Sequence, residues 1–399
     1  MSSSYPWAED ALKYMIGDTS RDEFFSEVHE NCALRCEHND PQRFSDLLSL
    51  EFIDDLIANS ELPPEALRMA RSDPPINRSN FTFGNGNIDR GAVIRHFQQG
   101  ATIILPQLHL ANATLSSFCR ALEKIFSTQV QTNIYLTPAN NRGFDTHYDD
   151  HDVFVMQISG SKNWKLYRKP IDNPYRGENF RPNQHESGEV VEEFVLNAGD
   201  CVYIPRGLMH DASAIGDEPS LHITVGMIVK SWADLMLEAL SQVALTNPKF
   251  RSSLPPGFAE EDYDLEKARG YFSELVEEFS KEAKFDEVFE MFVDQFVRSR
   301  RADFSGGVLA ELAEISAEDQ FRRRSDSQAL LRMNESDEVV VICGGGDVHF
   351  ATAALSGVEK SLSGNQFSLA DFSGLDESEA VDCLKKLLAF GVIERLPSE

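Results

Sequence analysis

The sequence predicts an α+β protein whose centre is a jelly roll, a double layer of short strands. Short apolar runs alternate with Gly-, Pro- and Asn-rich turns through the first 230 residues, and many short strands of this kind indicate a sandwich or barrel. The pattern changes at Ser231, after which apolar residues recur at helical spacing. The runs interpreted as strands are 131–136, 151–158, 162–168, 192–196, 201–204 and 220–229.

These changes divide the 399 residues into three expected units. Residues 1–230 hold the barrel with N-terminal helical and strand additions, residues 231–300 are helical, and residues 301–399 form a small separate module. Within the first unit we predict a helix over 44–57 and a strand-like segment from Val93 onward.

The predicted helices of 231–300 carry more apolar side chains than a small helical pair needs. Their stripes include Tyr271, Phe272, Leu275, Val276, Phe279, Val288, Phe289, Phe292, Val293, Phe296 and Val297. Because an apolar helix face has to be buried against a partner, we expect helix pairing between subunits and a homodimer.

The C-terminal module has the pattern of a winged helix. A strand over 338–342, a Gly-rich turn and a return strand over 348–350 precede a helix that starts at Asp376, capped with Glu379, and ends at Gly391. Such modules usually bind DNA, but residues 301–399 hold nine Lys or Arg against eighteen Asp or Glu. A phosphate backbone would be repelled, so no direct DNA binding is expected.

The whole chain is acidic, with 65 Asp or Glu against 37 Lys or Arg and a net charge of −28. This balance argues against a nucleic-acid surface and favours a basic partner. The N-terminus lacks the pattern of a targeting segment, and no apolar run reaches the length of a membrane span, so a cytoplasmic protein is expected. The six scattered cysteines fit reduced thiols, and Cys32 and Cys36 do not have the spacing of a zinc site.

A candidate metal site lies just before the apolar run 151–158. His147 and Asp149 are separated by one residue, so on an extended strand both side chains leave the same face. His210, which follows a turn and a short strand, is the best candidate for a third ligand. Two histidines and one carboxylate on one face of an ion are typical of non-haem Fe(II) oxygenases, with open positions for a 2-oxo acid and O2.

A candidate anion site adjoins this metal site. Lys162 shares one strand face with Trp164 and Leu166, and inside a barrel its ammonium could hold the far carboxylate of a 2-oxo diacid. Asn133 and Tyr135 alternate onto one face of the preceding strand and could donate hydrogen bonds to the same ligand. The alternatives are a lysine that points into water and two ordinary strand residues.

These motifs closely resemble those of the Jumonji C ribosomal oxygenases. The matching runs are Asn133-Ile-Tyr-Leu-Thr-Pro138, His147-Tyr-Asp-Asp, Phe154-Val-Met-Gln-Ile, Gly160-Ser-Lys-Asn-Trp-Lys-Leu-Tyr167, Gly199-Asp-Cys-Val-Tyr-Ile-Pro-Arg-Gly-Leu-Met-His210 and Ser220-Leu-His-Ile-Thr224. The resemblance implies a double-stranded β-helix of the cupin type, a helical dimerisation region and an acidic winged helix. It also implies Fe(II) held by His147, Asp149 and His210, and 2-oxoglutarate held by Lys162 with help from Asn133 and Tyr135.

The activity implied by the resemblance is hydroxylation of a protein side chain, histidine or arginine, with 2-oxoglutarate and O2 converted to succinate and CO2. The implied substrate is a ribosomal protein, whose basic character suits an acidic enzyme. Methyl-lysine demethylation with the same iron chemistry is an alternative. So are a non-catalytic, ligand-sensing transcription regulator and a zinc or manganese cupin isomerase.

The sequence departs from the family at one position near the expected cosubstrate. Where these enzymes often carry a serine after the Ser-Leu-His-Ile-Thr run, this chain has Gly226 and Met227. The shape of the pocket or its affinity for cosubstrate could therefore differ. We interpret His222, which keeps its place in the motif, as structural.

Overall fold

The computed structural model describes residues 5–71, 74–182, 184–310, 312 and 314–397. Its first part is a barrel of two antiparallel sheets. The strands in chain order are β1 (Leu34–Cys36), β2 (Arg68–Ala70), β3 (Thr102–Pro106), β4 (Gln129–Thr137), β5 (Asp152–Ser159), β6 (Ser161–Leu166), β7 (Glu192–Asn197), β8 (Cys201–Ile204), β9 (His210–Ile215) and β10 (Ser220–Ile228). The larger sheet has the order β1-β8-β5-β10-β4-β3-β2, and the smaller has the order β7-β6-β9.

The burial of the strands shows how the two sheets face each other. Residues of β5 are buried on both faces, whereas β6 alternates, with Lys162, Trp164 and Leu166 turned inward. The predicted shared face of these three residues is thereby confirmed. Trp164 and Leu166 pack against Val153 and Val155 of β5, so the space between the sheets is filled by side chains next to Lys162.

The outer face of the larger sheet is covered by N-terminal helices. These are α1 (Ala11–Ile16), α2 (Arg21–Glu23), which continues as a π-helical turn (Phe24–Val28), α3 (Leu50–Asn59), α4 (Arg90–Gln98) and α5 (Ala113–Phe126). Trp7, Phe24, Phe118 and Phe154 are among the fully buried residues of the core between these helices and the sheet. The barrel is therefore closed on one side by helices and keeps its inner space for a site.

Two predicted boundaries in this region are wrong. The helix expected over 44–57 begins only at Leu50, because the side chain of Ser49 accepts the hydrogen bond of the Phe52 amide and caps it there. The first part of the strand-like segment expected from Val93 belongs to α4, which starts after Asp89 caps the amide of Ala92, whereas its end forms β3 as predicted.

A helical segment follows the barrel, and an α+β segment follows the helices. The helices are α6 (Trp232–Thr246), α7 (Leu265–Glu282), α8 (Phe285–Ser299) and α9 (Gly307–Ala310), and short 3-10 turns cover Pro64–Ala66, Arg78–Asn80, Leu108–Leu110, Pro248–Arg251, Thr352–Ala354 and Leu369–Asp371. The last elements are β11 (Phe321–Arg323), β12 (Ala329–Met333), β13 (Val339–Cys343), β14 (Gly346–Phe350), α10 (Leu355–Leu362), α11 (Glu377–Ala389) and β15 (Ile393–Arg395).

The C-terminal segment is built on its own core. Strands β12, β13 and β14 form an antiparallel sheet, and β11 pairs with β15. The predicted hairpin over 338–350 is confirmed, and so is the C-terminal helix, whose Asp376 and Glu379 form a reciprocal cap. Helix α8 packs Val297 against Val340 and Ile342 of β13, which joins the helical segment to this sheet. Among the helices of the described residues, none combines the length and apolar character that crossing a membrane requires.

Candidate metal and cosubstrate site

The backbone brings His147 and His210 side by side although 62 residues separate them in the chain. The His147 amide donates to the His210 carbonyl over 3.0 Å, and the His210 amide donates back over 2.8 Å. This antiparallel bridge lies at the first residue of β9, on the edge of the smaller sheet. The two imidazole rings are consequently only 4.7 Å apart between centroids.

Asp149 completes a cluster of three side chains that could hold a metal ion. One ligand atom from each of His147, Asp149 and His210 lies within 4.8 Å of the others. The carboxylate of Asp149 and Nε2 of His210 are 3.8 Å apart. The structure thus brings together all three residues that the sequence pattern singled out as metal ligands.

The hydrogen bonds of both histidines prepare Nε2 for a metal. Nδ1 of His147 donates to the carbonyl of Asp145 over 2.8 Å, and Nδ1 of His210 donates to the carbonyl of Leu208 over 2.9 Å. Because a carbonyl can only accept, each Nδ1 carries the proton and each Nε2 presents a lone pair. Burial and the neighbouring His147 lower the pKa of His210 to about 4, which keeps this imidazole neutral. The donor set therefore fits a divalent cation such as Fe(II).

A cavity of about 300 Å³ extends from this cluster into the barrel. It is lined by the three clustered residues and by Thr102, Tyr135, Thr137, Gly143, Phe144, Val153, Val155, Lys162, Trp164, Asp211, Ala212, His222 and Thr224. Its size suits a small organic acid, at the lower end of the range for ligand sites, roughly 300 to 1,000 Å³.

Lys162 gives the cavity an unneutralised cation. Its side chain is buried, with 5% of its surface exposed, and it forms no ion pair within the described part of the chain. Burial lowers its pKa to about 7, since no carboxylate nearby stabilises the ammonium. A buried lysine in this condition is costly to the fold unless an anion joins it.

Two further polar atoms of the cavity wall are available for hydrogen bonds to a ligand. Trp164 Nε1 and His222 Nδ1 are buried and have no hydrogen-bond partner among the described residues. Burial, and after it the proximity of Lys162, keeps the pKa of His222 well below its usual range, so its imidazole is neutral. Together with the ammonium, these atoms fit a ligand that carries several oxygen acceptors, as a dicarboxylate does.

Tyr135 and Asn133, the two residues of β4 predicted to help bind the ligand, differ in their position relative to the cavity. Tyr135 lines the cavity and stacks on His222, with ring centroids 4.9 Å apart and 12° between the planes. Asn133 is not part of the cavity wall, because its amide oxygen accepts the backbone amide of Gln107 over 3.2 Å. The geometry therefore does not support direct ligand contact by Asn133.

His222 lines the cavity, whereas the sequence motif was interpreted as giving it only a structural role. It pairs with Tyr135 across β10 and β4, and with Thr224 it occupies the inward face of β10. Alternation along β10 places both side chains on one face, and that signal was available in the motif. The interpretation of His222 as purely structural is too narrow for a residue that lines the cavity beside Lys162.

Gly226 leaves room for the ring of His151. A Cβ atom at Gly226 would lie 2.8 Å from Cδ2 and 2.9 Å from Nε2 of His151. His151 is itself held by Asp150, whose carboxylate lies 3.2 Å from Nδ1, and Asp150 accepts the amide of Gly177 over 2.9 Å. The glycine at the position of the family serine is thus explained by a histidine that fills the space.

Replacing Gly226 with serine should destabilise the protein by roughly 1–3 kcal/mol, because the new side chain displaces the His151 ring from Asp150. Denaturant unfolding would measure the loss. Gly270→Ser is the matched control, since a Cβ there meets nothing within 4 Å. The double variant His151→Ala/Gly226→Ser should recover part of the loss. Equal stability of Gly226→Ser and the parent would show that His151 does not need this space.

The fold and the clustered residues define the class of protein as a cupin-type barrel with a two-histidine, one-carboxylate cluster. Residues 107–235 match the family model described as the JmjC domain, so this part of the chain is similar to that family. The resemblance inferred from the sequence motifs is thereby confirmed, as is the expected cupin-type fold of mixed helices and sheets.

Curated relatives are described as bifunctional lysine-specific demethylase and histidyl-hydroxylase NO66. The protein from Culex quinquefasciatus is 31% identical over 257 residues, which is 62% of this chain and 39% of the relative. The protein from Dictyostelium discoideum is 29% identical over 266 residues, or 63% of this chain and 50% of the relative. The chain therefore spans at most half the length of these two relatives.

Solved structures with the same fold include the ribosomal oxygenase YcfD from Escherichia coli. One superposes with a TM-score of 0.52 at 14% identity, covering 94% of this chain and 98% of that chain. Another, of YcfD in complex with cobalt and 2-oxoglutarate, has a TM-score of 0.51 at 14% identity with the same coverage. At this identity the likeness establishes the architecture, which extends over nearly the whole chain.

Proposed function

We propose that this protein is an Fe(II)- and 2-oxoglutarate-dependent oxygenase that hydroxylates a side chain of another protein. The observation that carries the proposal is the pairing, within one cavity, of a His147, Asp149 and His210 cluster with the unneutralised ammonium of Lys162. A metal site beside a buried cation suits a 2-oxo diacid, whose two ends need different partners.

Each group of the cavity has a distinct role in this proposal. His147, Asp149 and His210 hold Fe(II), which when bound supplies the activation of O2 and the conversion of 2-oxoglutarate to succinate and CO2. Lys162 binds the far carboxylate, and Trp164 Nε1 donates a hydrogen bond to an oxygen of the cosubstrate. Tyr135 stacks on His222 and holds its ring in place. One oxygen atom of O2 goes to the substrate C–H bond and the other to succinate.

The proposed substrate is a basic protein, and a ribosomal protein is the first candidate. The net charge of −28 attracts basic chains and steers their encounter with the enzyme. The likeness to relatives described as histidyl-hydroxylases supports histidine as the modified side chain.

Methyl-lysine demethylation is the second candidate, because the NO66 relatives are described as lysine-specific demethylases as well. The same cavity would serve, since hydroxylation of an N-methyl group leads to formaldehyde release. The two outcomes differ in their products, which makes them separable in one assay.

Incubation with Fe(II), 2-oxoglutarate and extracted ribosomal proteins tests the proposal. Mass spectrometry should show the gain of one oxygen on a histidine or arginine, only when 2-oxoglutarate is present. Formaldehyde release from methyl-lysine peptides without oxygen gain on ribosomal proteins would favour the demethylase. Absence of both products, with no succinate formed, would overturn the oxygenase assignment.

The affinity for 2-oxoglutarate should fall as the pH rises from 7 to 9. Lys162 has a pKa of about 7 without a bound carboxylate, and an ion pair raises that pKa toward the ordinary lysine range of roughly 10. Binding therefore takes up a proton above pH 7, and the affinity falls by up to about tenfold per pH unit. Calorimetry in buffers of different ionisation enthalpy measures the uptake. A pH-independent affinity would contradict the assignment of Lys162.

The helical segment supports a proposed homodimer. Helix α7 buries none of its residues, and Phe272 is 68% exposed on it, while Leu237 on α6 is 61% exposed. An uncovered apolar face of this kind suits a second copy of the chain. Sedimentation should show a dimer that Phe272→Asp weakens without loss of folding. A monomer at all concentrations would reject this assembly.

We also propose that residues 301–399 form a winged-helix-like module that binds another protein. The enzyme is proposed to be cytoplasmic. Its α11 carries Glu377, Glu379 and Asp382 on a helix that would face phosphates in a DNA-binding module. The acidic surface supports a basic protein partner instead. Salt-sensitive binding of duplex DNA in a mobility assay would contradict this.

A further inference from the structure

A second cavity, of about 760 Å³, lies where three parts of the chain meet. Its walls come from the ends of β4 and β10, from helices α6 and α8, and from β11 and β12 of the C-terminal segment. The apolar part of the wall includes Leu235, Phe289, Phe292, Val293 and Phe296. None of its residues belongs to the proposed iron site, so it is a separate cavity.

The charge of this cavity is opposite to that of the protein. Arg176, Lys230 and Arg323 line it, and no Asp or Glu is among its described lining residues. In a chain with 65 acidic and 37 basic residues, a cavity with three cations and no carboxylate stands apart from its surroundings. Its lining favours an anion with an apolar body.

Arg323 is the cation with the clearest need for a partner. Its neighbours in sequence are neutralised, since Arg322 lies 2.7 Å from Glu394 and Arg324 lies 3.1 Å from Asp303. Nη1 of Arg323 donates a hydrogen bond to the carbonyl of Leu362 over 3.1 Å, yet the guanidinium forms no ion pair with any described residue. Burial and the nearby Arg300 lower its pKa, and Arg300 itself is already paired with Glu123 at 3.2 Å.

Two buried side-chain atoms of this cavity lack hydrogen-bond partners among the described residues, and one of them belongs to the guanidinium itself. Arg323 Nε and Gln328 Oε1 are buried, line the same cavity and have no hydrogen-bond partner within the described residues. An amide can be turned so that its nitrogen takes the place of its oxygen, and Gln328 could then donate. Two donors with one positive charge form a site for the oxygens of a carboxylate.

We propose that this cavity binds an amphipathic carboxylate, with its head group at Arg323 and Gln328 and its apolar body against Phe292, Val293 and Phe296. The volume falls within the range of small-molecule sites, and the position between parts of one chain is where such sites occur. Binding there links the barrel, the helices and the C-terminal sheet, so it stabilises their mutual arrangement.

Calorimetry with decanoate tests the proposal, with decanol and decyltrimethylammonium as probes of equal chain length. Decanoate should bind with one site per chain, and decanol and the cation should bind at least tenfold more weakly. Arg323→Gln should weaken decanoate binding at least tenfold. The matched control, Arg269→Gln on exposed α7, should leave it unchanged.

A second variant, Val293→Trp, tests the proposal independently in case Arg323→Gln does not fold. Val293→Trp keeps Arg323 and fills the apolar part of the cavity, so it should abolish decanoate binding while circular dichroism stays that of the parent. Equal binding of decanoate and decanol, or no effect of either variant, would overturn the proposal. Dissociation of a dimer by decanoate would overturn it as well, because a second copy would then be the occupant.

Discussion

Lys162→Met should reduce the affinity for 2-oxoglutarate by roughly 150- to 5,000-fold. Removing one partner from a buried ion pair costs about 3–5 kcal/mol, because the remaining charge is left without compensation. Methionine is unbranched and only one heavy atom shorter than lysine, so the barrel should fold, and loss of a buried unpaired ammonium should raise its stability. Calorimetry of the cobalt-loaded protein, which does not turn over, measures the affinity.

Lys165→Met on the same strand is the control for this variant. Lys165 faces outward, with 37% of its side chain exposed, and it lies 3.7 Å from Glu193. Exposed ion pairs contribute little, so its substitution should leave cosubstrate affinity unchanged. If Lys162→Met bound 2-oxoglutarate as tightly as the parent, the far carboxylate would have to be held elsewhere.

His147→Ala should lower metal affinity by more than the roughly 10- to 100-fold that loss of a supporting hydrogen bond to a ligand costs. Two ligands would remain, and hydroxylation should fall below detection. Titration of cobalt, followed by its visible absorption, measures the affinity without turnover. Since His147 is only partly buried, the variant should unfold at nearly the parent temperature.

His185→Ala is the matched histidine variant outside the cluster. His185 lies beside Tyr148, with ring centroids 5.5 Å apart, and does not line the cavity. It should bind cobalt like the parent. Unchanged cobalt affinity in His147→Ala would show that the metal is held by a different set of residues.

The sequence predicted the site better than it predicted the boundaries of helices. In any extended segment, residues two apart such as His147 and Asp149 point to the same side. The inward direction of Lys162 likewise follows from alternation along its own strand, so both features can be predicted from neighbouring residues. The Val93 segment failed because its adjacent apolar residues suit a strand and a helix equally, and the Asp89 cap decides for the helix.

Contacts between distant segments set the limits of prediction for the rest. The backbone bridge between His147 and His210 depends on how the smaller sheet closes, which no local pattern encodes. Asn133 lies two residues before Tyr135, so strand alternation predicts the same face for both. Its amide oxygen, however, accepts a hydrogen bond from the backbone amide of Gln107. Gly226 is required because a side chain there would clash with His151, which lies just before β5. The sequence alone shows only that a glycine replaces the family serine, because it does not show which residue lies next to it.

The mutual backbone bonds of His147 and His210 have a consequence for how the protein handles its metal supply. Two of the three donor side chains are anchored by peptide groups that bond directly to each other, and these bonds do not involve the groups that would hold an ion. Chelation should therefore empty the centre without unravelling it, and fresh ferrous salt should restore full turnover at once, with no refolding delay. When iron is alternately scarce and plentiful, the proposed activity would then stop and resume while the fold stays intact.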